Sequence, residues 1–284
     1  MQQIWPRLEQ RALTLLWYRT AAQAQDMTAA TVGRSCLILA PHPDDETLGC
    51  GGLALLKRAA GTRVDVIIAT DGGATHPDTP ARSLGRADVV ALRAAETRAA
   101  CAALGIGPAH LDFLGYPDGV LASRAADLQD SLAAAITRIA PDEVYVCALA
   151  DGHRDHVALA QAARSLAAEG RLGGADLWEY PVWYWDFRSW RPPGTSNKRG
   201  FLLGLAAMYR ALRDTPVAAV SIRGLEARKR AALECHRSQL GLLAAEPDWE
   251  GLPERFLSVF FRDRELFFQV SAEVGLPTAV TAPT

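Results

Sequence analysis

The sequence is poor in what would place it outside the cell or inside a membrane. It has only 5 cysteines in 284 residues. Cys36, Cys50, Cys101, Cys147 and Cys235 form no CxxC pair, which excludes a disulfide framework and a cysteine zinc knuckle. Four of them sit inside apolar segments, so they read as reduced, buried thiols in a cytoplasmic protein. No apolar run reaches the roughly 18 residues that a membrane-spanning helix needs. Residues 12–18 and 200–212 come nearest, but both are short and flanked or broken by arginine. They read as packed amphipathic helices and leave a peripheral membrane contact open. No secretory leader pattern is read at the start. With 30 Lys and Arg against 32 Asp and Glu, the net charge of -2 offers nothing to attract nucleic acid. There is no internal repeat and no low-complexity segment. The Gly49–Gly52 stretch lacks the lysine and the spacing of a phosphate-binding loop.

What is present is a large apolar fraction, 49% of residues, enough for one sizeable core. Short aliphatic runs at 36–40, 64–69, 110–114, 143–147 and 177–183 read as strands. Amphipathic stretches at 6–25, 86–104, 125–139 and 157–169 read as helices, and another follows the first strand to residue 60. Leu8, Leu13, Leu15, Leu16 and Trp17 are expected on the apolar face of the first helix. Strands alternating with helices predict an α/β fold: a Rossmann-like, doubly wound, mostly parallel sheet with helices on both faces. Residues 1–34 carry the N-terminal helix and 35–184 the catalytic core. Residues 185–276 form an extension completing the pocket, and 277–284 a disordered tail. Within the extension, 225–243 reads as a helix carrying His236. The segments 256–261 and 266–270 read as a hairpin or edge strands, and 186–198 as an excursion or lid.

Chemistry concentrates in two turns. The first, Pro41-His42-Pro43-Asp44-Asp45-Glu46, lies between the first strand and a helix. Three carboxylates there are costly unless a cation neutralises them. Nitrogen and oxygen donors three apart in a turn suit zinc, with His42 and Asp45 as ligands; iron(II) fits the same donors. The second turn, Asp151-Gly152-His153-Arg154-Asp155-His156, follows the fourth strand. Ligands of open α/β sheets bind at the carboxyl ends of strands where strand order reverses. If the first and fourth strands are neighbours there, the two turns meet. His156 is then the third ligand, leaving a position for water. Asp44 is the general base, His153 if protonated stabilises an oxyanion, and Asp155 orients an imidazole. Glu46 reads as a supporting carboxylate rather than a ligand. His76 and His110 read as loop and strand-end residues without chemistry. Trp178, Tyr180, Trp183, Tyr184, Trp185 and Trp190 read as core or interface, with sugar stacking as the alternative.

These two motifs resemble the PIG-L/LmbE-like family of zinc-dependent N-deacetylases, with its His-Pro-Asp-Asp-Glu and His-x-Asp-His signatures. The likeness extends to Asp71-Gly72-Gly73, Arg93 with Glu96, Pro117-Asp118-Gly119, and His236 with Ser238-Gln239. It implies hydrolysis of the acetamide of an N-acetylglucosamine-type conjugate, a small-molecule or glycoconjugate substrate. It supports the same metal set, and it implies substrate contacts from Asp71, Arg93 and His236. Pro41 stands where the family often has alanine, and residues 186–213 have no counterpart in its pattern. The competing readings are an amidase acting on a thiol-sugar conjugate or other non-acetyl amide, and a carbohydrate-binding protein without turnover.

Overall fold

Aliphatic runs closed by proline, glycine or aspartate become the central strands, and Ala/Leu-rich amphipathic stretches become the covering helices. The computed structural model describes residues 4–75, 83–192, 194–195, 197–243, 246 and 248–270. His76 and the tail from 277 lie outside these residues. In chain order the elements are α1 (Ile4–Gln23), β1 (Gln25–Asp26), α2 (Thr28–Thr31), β2 (Cys36–Ala40), α3 (Asp45–Ala59) and β3 (Val64–Thr70). Then come α4 (Arg86–Ala103), β4 (Leu111–Tyr116), α5 (Ala125–Ile139), β5 (Glu143–Cys147), α6 (Arg154–Ala168) and β6 (Asp176–Tyr180). The chain continues through α7 (Asn197–Asp214), β7 (Val217–Ser221), α8 (Glu226–Leu233), α9 (Glu254–Leu257) and β8 (Arg264–Gln269).

Among the described residues the strands form one sheet in the order β1-β7-β8-β6-β5-β2-β3-β4. The β6-β5-β2-β3-β4 block is parallel throughout. The fold is therefore α/β, with a mostly parallel sheet. The chain runs from β2 out through β3 and β4, then returns to β5 on the other side of β2. Strand order reverses there, which opens a crevice above the carboxyl ends of β2 and β5. The expected neighbourhood of the first and fourth strands is present, with Cys36 opposite Glu143. Every side chain of β2 is essentially buried, each large one contributing roughly 1.5–3 kcal/mol.

Expectations outside the central parallel block are corrected as follows. The segment 266–270 is not an edge: β8 lies antiparallel between β6 and β7, and 256–261 is a short helix and turn. The helix read over 225–243 ends at Leu233, short of His236, and β6 ends at Tyr180 with Trp183 in a 3-10 turn. Leu8 and Leu15 of α1 are exposed, at 37% and 70%, while Leu13, Leu16 and Trp17 are buried. The aromatic belt is largely core: Tyr180, Tyr184 and Trp185 are buried, and Trp183 stacks on Phe256.

Helix α3 starts at the first turn, so what fixes α3 fixes the site. Its glycines allow close approach rather than phosphate binding. A Cβ on Gly49 would lie 2.1 Å from the Tyr180 ring, and one on Gly52 2.5 Å from Ile222. Two buried lysines also tie the helix down. Lys57 Nζ donates to Glu143 Oε2 and to the Arg34 carbonyl, each at 2.7 Å. Lys229 of α8 donates to the Leu48 carbonyl and to Glu265 Oε1, each at 2.7 Å. Glu265 of β8 accepts the backbone N–H of Gly52 and of Leu53, both at 2.7 Å. The C-terminal extension is thus built into the backbone of α3.

Candidate active site

The carboxyl ends of β2, β4 and β5 deliver the polar residues to one place. His42 follows β2 and Asp45 opens α3. His153 caps α6, whose first turn holds Asp155 and His156. That helix begins at Arg154, earlier than the sequence suggests, so His156 is carried by the helix itself.

One oxygen is the focus. Asp45 Oδ2 lies 3.3 Å from His42 Nδ1 and 3.3 Å from His156 Nε2. The outer nitrogen of each ring is held by a carboxylate. His156 Nδ1 is 2.8 Å from Asp151 Oδ2. His42 Nε2 is 3.2 Å from Asp155 Oδ2 and 3.3 Å from Asp118 Oδ1. Outer N–H donation leaves the inner lone pairs facing Asp45. His156 Nε2 is buried without a hydrogen-bond partner, as is His153 Nδ1. Nitrogens from His42, His153 and His156 lie within 4.8 Å of one another.

The donor set fits a small divalent cation. Tetrahedral bonds of about 2.0–2.1 Å place ligand atoms about 3.3 Å apart, the separation found on both sides of Asp45. His42, Asp118 and Asp155 form a second group of possible donors. There, however, Asp155 already accepts the N–H of Gly119 and Leu121, and Asp118 accepts that of Ala74. That side orients His42, while the unpartnered nitrogens lie on the other.

Charge agrees with geometry. Burial by itself would lower the His42 imidazolium, yet Asp118, Asp155 and Asp45 push it up to about 10. Burial likewise opposes protonation of His156, and Asp45 overrides it, raising the group well above the usual range. The cluster demands positive charge. His153 goes the other way: burial, then His156 and His42, push it down to about 4. That shift favours the neutral imidazole, which retains one N–H to donate.

Asp44 sits at φ 131°, ψ -29°, a strained conformation for a side-chain-bearing residue. Its neighbours over-determine it. Its N–H donates to Glu46 Oε2 at 3.0 Å, and its carbonyl accepts from Thr47 and Leu48. Arg93 Nη2 lies 3.4 Å from Asp44 Oδ1 and also donates to the Pro43 carbonyl at 2.5 Å. His236 Nε2 lies 3.1 Å from Glu46 Oε1. Burial, opposed by Arg93 and aided by Asp45, pushes Asp44 up to about 7.

The profile of the family described as "PIG-L: GlcNAc-PI de-N-acetylase" matches residues 37–167, the segment that carries both turns. Residues 37–167 form a PIG-L-family domain. A curated relative from Actinosynnema mirum, 1D-myo-inositol 2-acetamido-2-deoxy-alpha-D-glucopyranoside deacetylase, is 33% identical over 144 residues, 43% of this chain. That match spans half the length of the relative. A relative of the same name from Geodermatophilus obscurus is 28% identical over 255 residues, covering 74% of this chain and 84% of its own. The zinc-inhibited form of teicoplanin deacetylase Orf2 superposes with a TM-score of 0.59 at 17% identity, over 82% of this chain and 97% of that one. GalB from Pseudomonas putida, a 4-carboxy-2-hydroxymuconate hydratase, superposes with a TM-score of 0.55 at 19% identity, over 87% of this chain and all of the other. At these identities the structures share the fold.

Within the PIG-L domain, the structure brings together His42, Asp45, His153, Asp155 and His156, with Asp44 beside them. Two expected substrate contacts are not surface groups: Arg93 is 3% exposed and His236 is 0% exposed. Both act on Asp44, Arg93 directly and His236 through Glu46. Asp71 accepts from the Asp118 N–H at 2.9 Å and from Arg86, so it shapes the loop carrying Asp118. His110 pairs with Asp65 away from the site. Sequence reasoning gave no role to Asp118 or Asp151. Each follows the carboxyl end of a parallel strand, and that placement was the available signal.

Proposed function

We propose that this chain hydrolyses the acetamide of an N-acetylated amino sugar within a larger conjugate, releasing acetate and a free amine. The observation that carries the reading is the convergence of His42 and His156 on Asp45 Oδ2, with the outer nitrogen of each ring on a carboxylate. The names of the two curated relatives support the substrate class.

His42, Asp45 and His156 would hold zinc or iron(II). Such an ion supplies Lewis acidity and acidifies water in contact with it. The rest is the work of this chain's side chains. Asp44 takes a proton from the attacking water and returns it to the nitrogen as the C–N bond breaks. His153 donates its N–H to the carbonyl oxygen as that oxygen gains charge, an interaction worth about 3–4 kcal/mol. Asp151, Asp155 and Asp118 hold the two ligand rings in one tautomer. Arg93 and Glu46 keep Asp44 in its strained conformation.

The test is acetate release from a panel of N-acetylated hexosamines, inositol-linked amino sugars and glycopeptides, with zinc restored. Turnover on at least one is expected, and Asp44→Asn should lower kcat roughly 100- to 10,000-fold. A folded, zinc-loaded protein that frees no acetate from any of them would end the proposal. A larger released acid would indicate a different amide, and sugar binding without turnover a non-catalytic protein.

A further inference from the structure

Most of the exposed large hydrophobic side chains lie on two helices, α1 and α7. Of the 7 large ones exposed among the described residues, Leu8, Leu15 and Tyr18 lie on α1, and Leu202, Leu203 and Tyr209 on α7. The two helices pack together, and the Arg19 guanidinium of α1 lies 5.9 Å from the centre of the Tyr209 ring of α7. Their exposed stripes therefore form one surface. Helical spacing lines up Arg11, Leu15, Tyr18 and Ala22 on α1, and Leu202, Ala206, Tyr209 and Arg213 on α7.

The same surface is cationic. Arg7, Arg11 and Arg19 are exposed on α1, and Lys198, Arg199 and Arg210 on α7, besides the Arg213 that pairs with Asp214. The acidic residues of these helices are engaged: Glu9 by Arg191 and Asp214 by Arg213. Against a chain-wide net charge of -2, this is a strong local excess. Near their carboxyl ends the helices border a cleft of about 450 Å³, and Arg19, Arg213 and Tyr209 line it.

We propose that the α1–α7 face docks on an anionic lipid bilayer. Leu15, Tyr18, Leu202 and Tyr209 enter the headgroup layer, and the arginines meet lipid phosphates. Charge favours this occupant over a two-fold pairing of this face with itself, which would set like charge against like. The topology suits it. α7 descends from the end of β6 to the start of β7, at the β1 edge of the sheet. This inference does not depend on the hydrolase reading.

The experiment is co-sedimentation of the full chain with vesicles. One set is pure phosphatidylcholine, and the other carries about one third phosphatidylglycerol. Binding to the anionic set should be at least about tenfold stronger. Reversing charge with Arg11→Glu, Arg19→Glu and Arg210→Glu together should weaken it on the order of a hundredfold. Leu15→Ser with Leu202→Ser should weaken it roughly fivefold or more. All five side chains are exposed, so circular dichroism should show an unchanged fold. Equal binding to both vesicle types, or no binding at low ionic strength by the wild-type chain, overturns the proposal. So does wild-type binding by the folded variants.

Discussion

Asp151→Asn isolates how the site sets the chemistry of a ligand ring. Asp151 is 2% exposed. Its Oδ1 accepts the N–H of Val182 at 3.0 Å and of Tyr184 at 2.8 Å. Its Oδ2 faces His156 Nδ1 at 2.8 Å. In the asparagine variant those backbone donors keep the amide oxygen at the Oδ1 position. The amide NH2 then faces His156 Nδ1 and must donate to it. The ring changes tautomer, and Nε2 carries a proton toward Asp45 Oδ2 instead of a lone pair. Metal affinity should fall 10- to 100-fold, about 1.4–2.8 kcal/mol. Shape and volume hardly change, so the apo fold should persist. The assay is competition for zinc against a chromogenic chelator, with circular dichroism as the control. Zinc affinity equal to wild type in a folded variant would refute the tautomer argument.

Two other outcomes follow from the way α3 is anchored. Gly49→Ala places a methyl 2.1 Å from a fully buried ring whose hydroxyl is fixed on the Leu39 carbonyl. It should destabilise by roughly 1–3 kcal/mol despite the helix propensity gained, and Gly49→Ala/Tyr180→Ala should remove most of the clash term; a raised melting temperature in the single variant would contradict this. Lys229→Met leaves Glu265 buried without its cation and should cost about 3–5 kcal/mol in urea unfolding, with partial recovery in Lys229→Met/Glu265→Leu.

The parallel core was legible because its signals are local. The bounds of β2, α5 and β5 read from sequence match the structure to the residue, helped by Pro41 after β2, Pro141 beyond α5 and Asp142 before β5. The crevice was legible too, because two charged turns each follow a strand. The C-terminal third was not. β7 reads Val-Ala-Ala-Val-Ser, too short and too small in side chain to stand out, and it forms by pairing with β1 and β8. The chain past Leu233 looks helical, with no glycine or proline before Gly241. It turns there because buried partners outweigh propensity: Glu96 takes the Ser238 N–H and hydroxyl, and Glu46 takes His236. Roles that depend on such long-range pairs, those of Arg93 and His236 among them, could not be read from neighbours in sequence.

The most direct measurement is zinc stoichiometry by elemental analysis of the wild type and of four variants. The wild type should hold one ion per chain, Asp44→Asn should keep it, and His42→Ala, Asp45→Ala and His156→Ala should each lose it. A wild type that binds no zinc, or an Asp45→Ala protein that retains it as tightly as wild type, would contradict the convergence on Asp45 as a metal site.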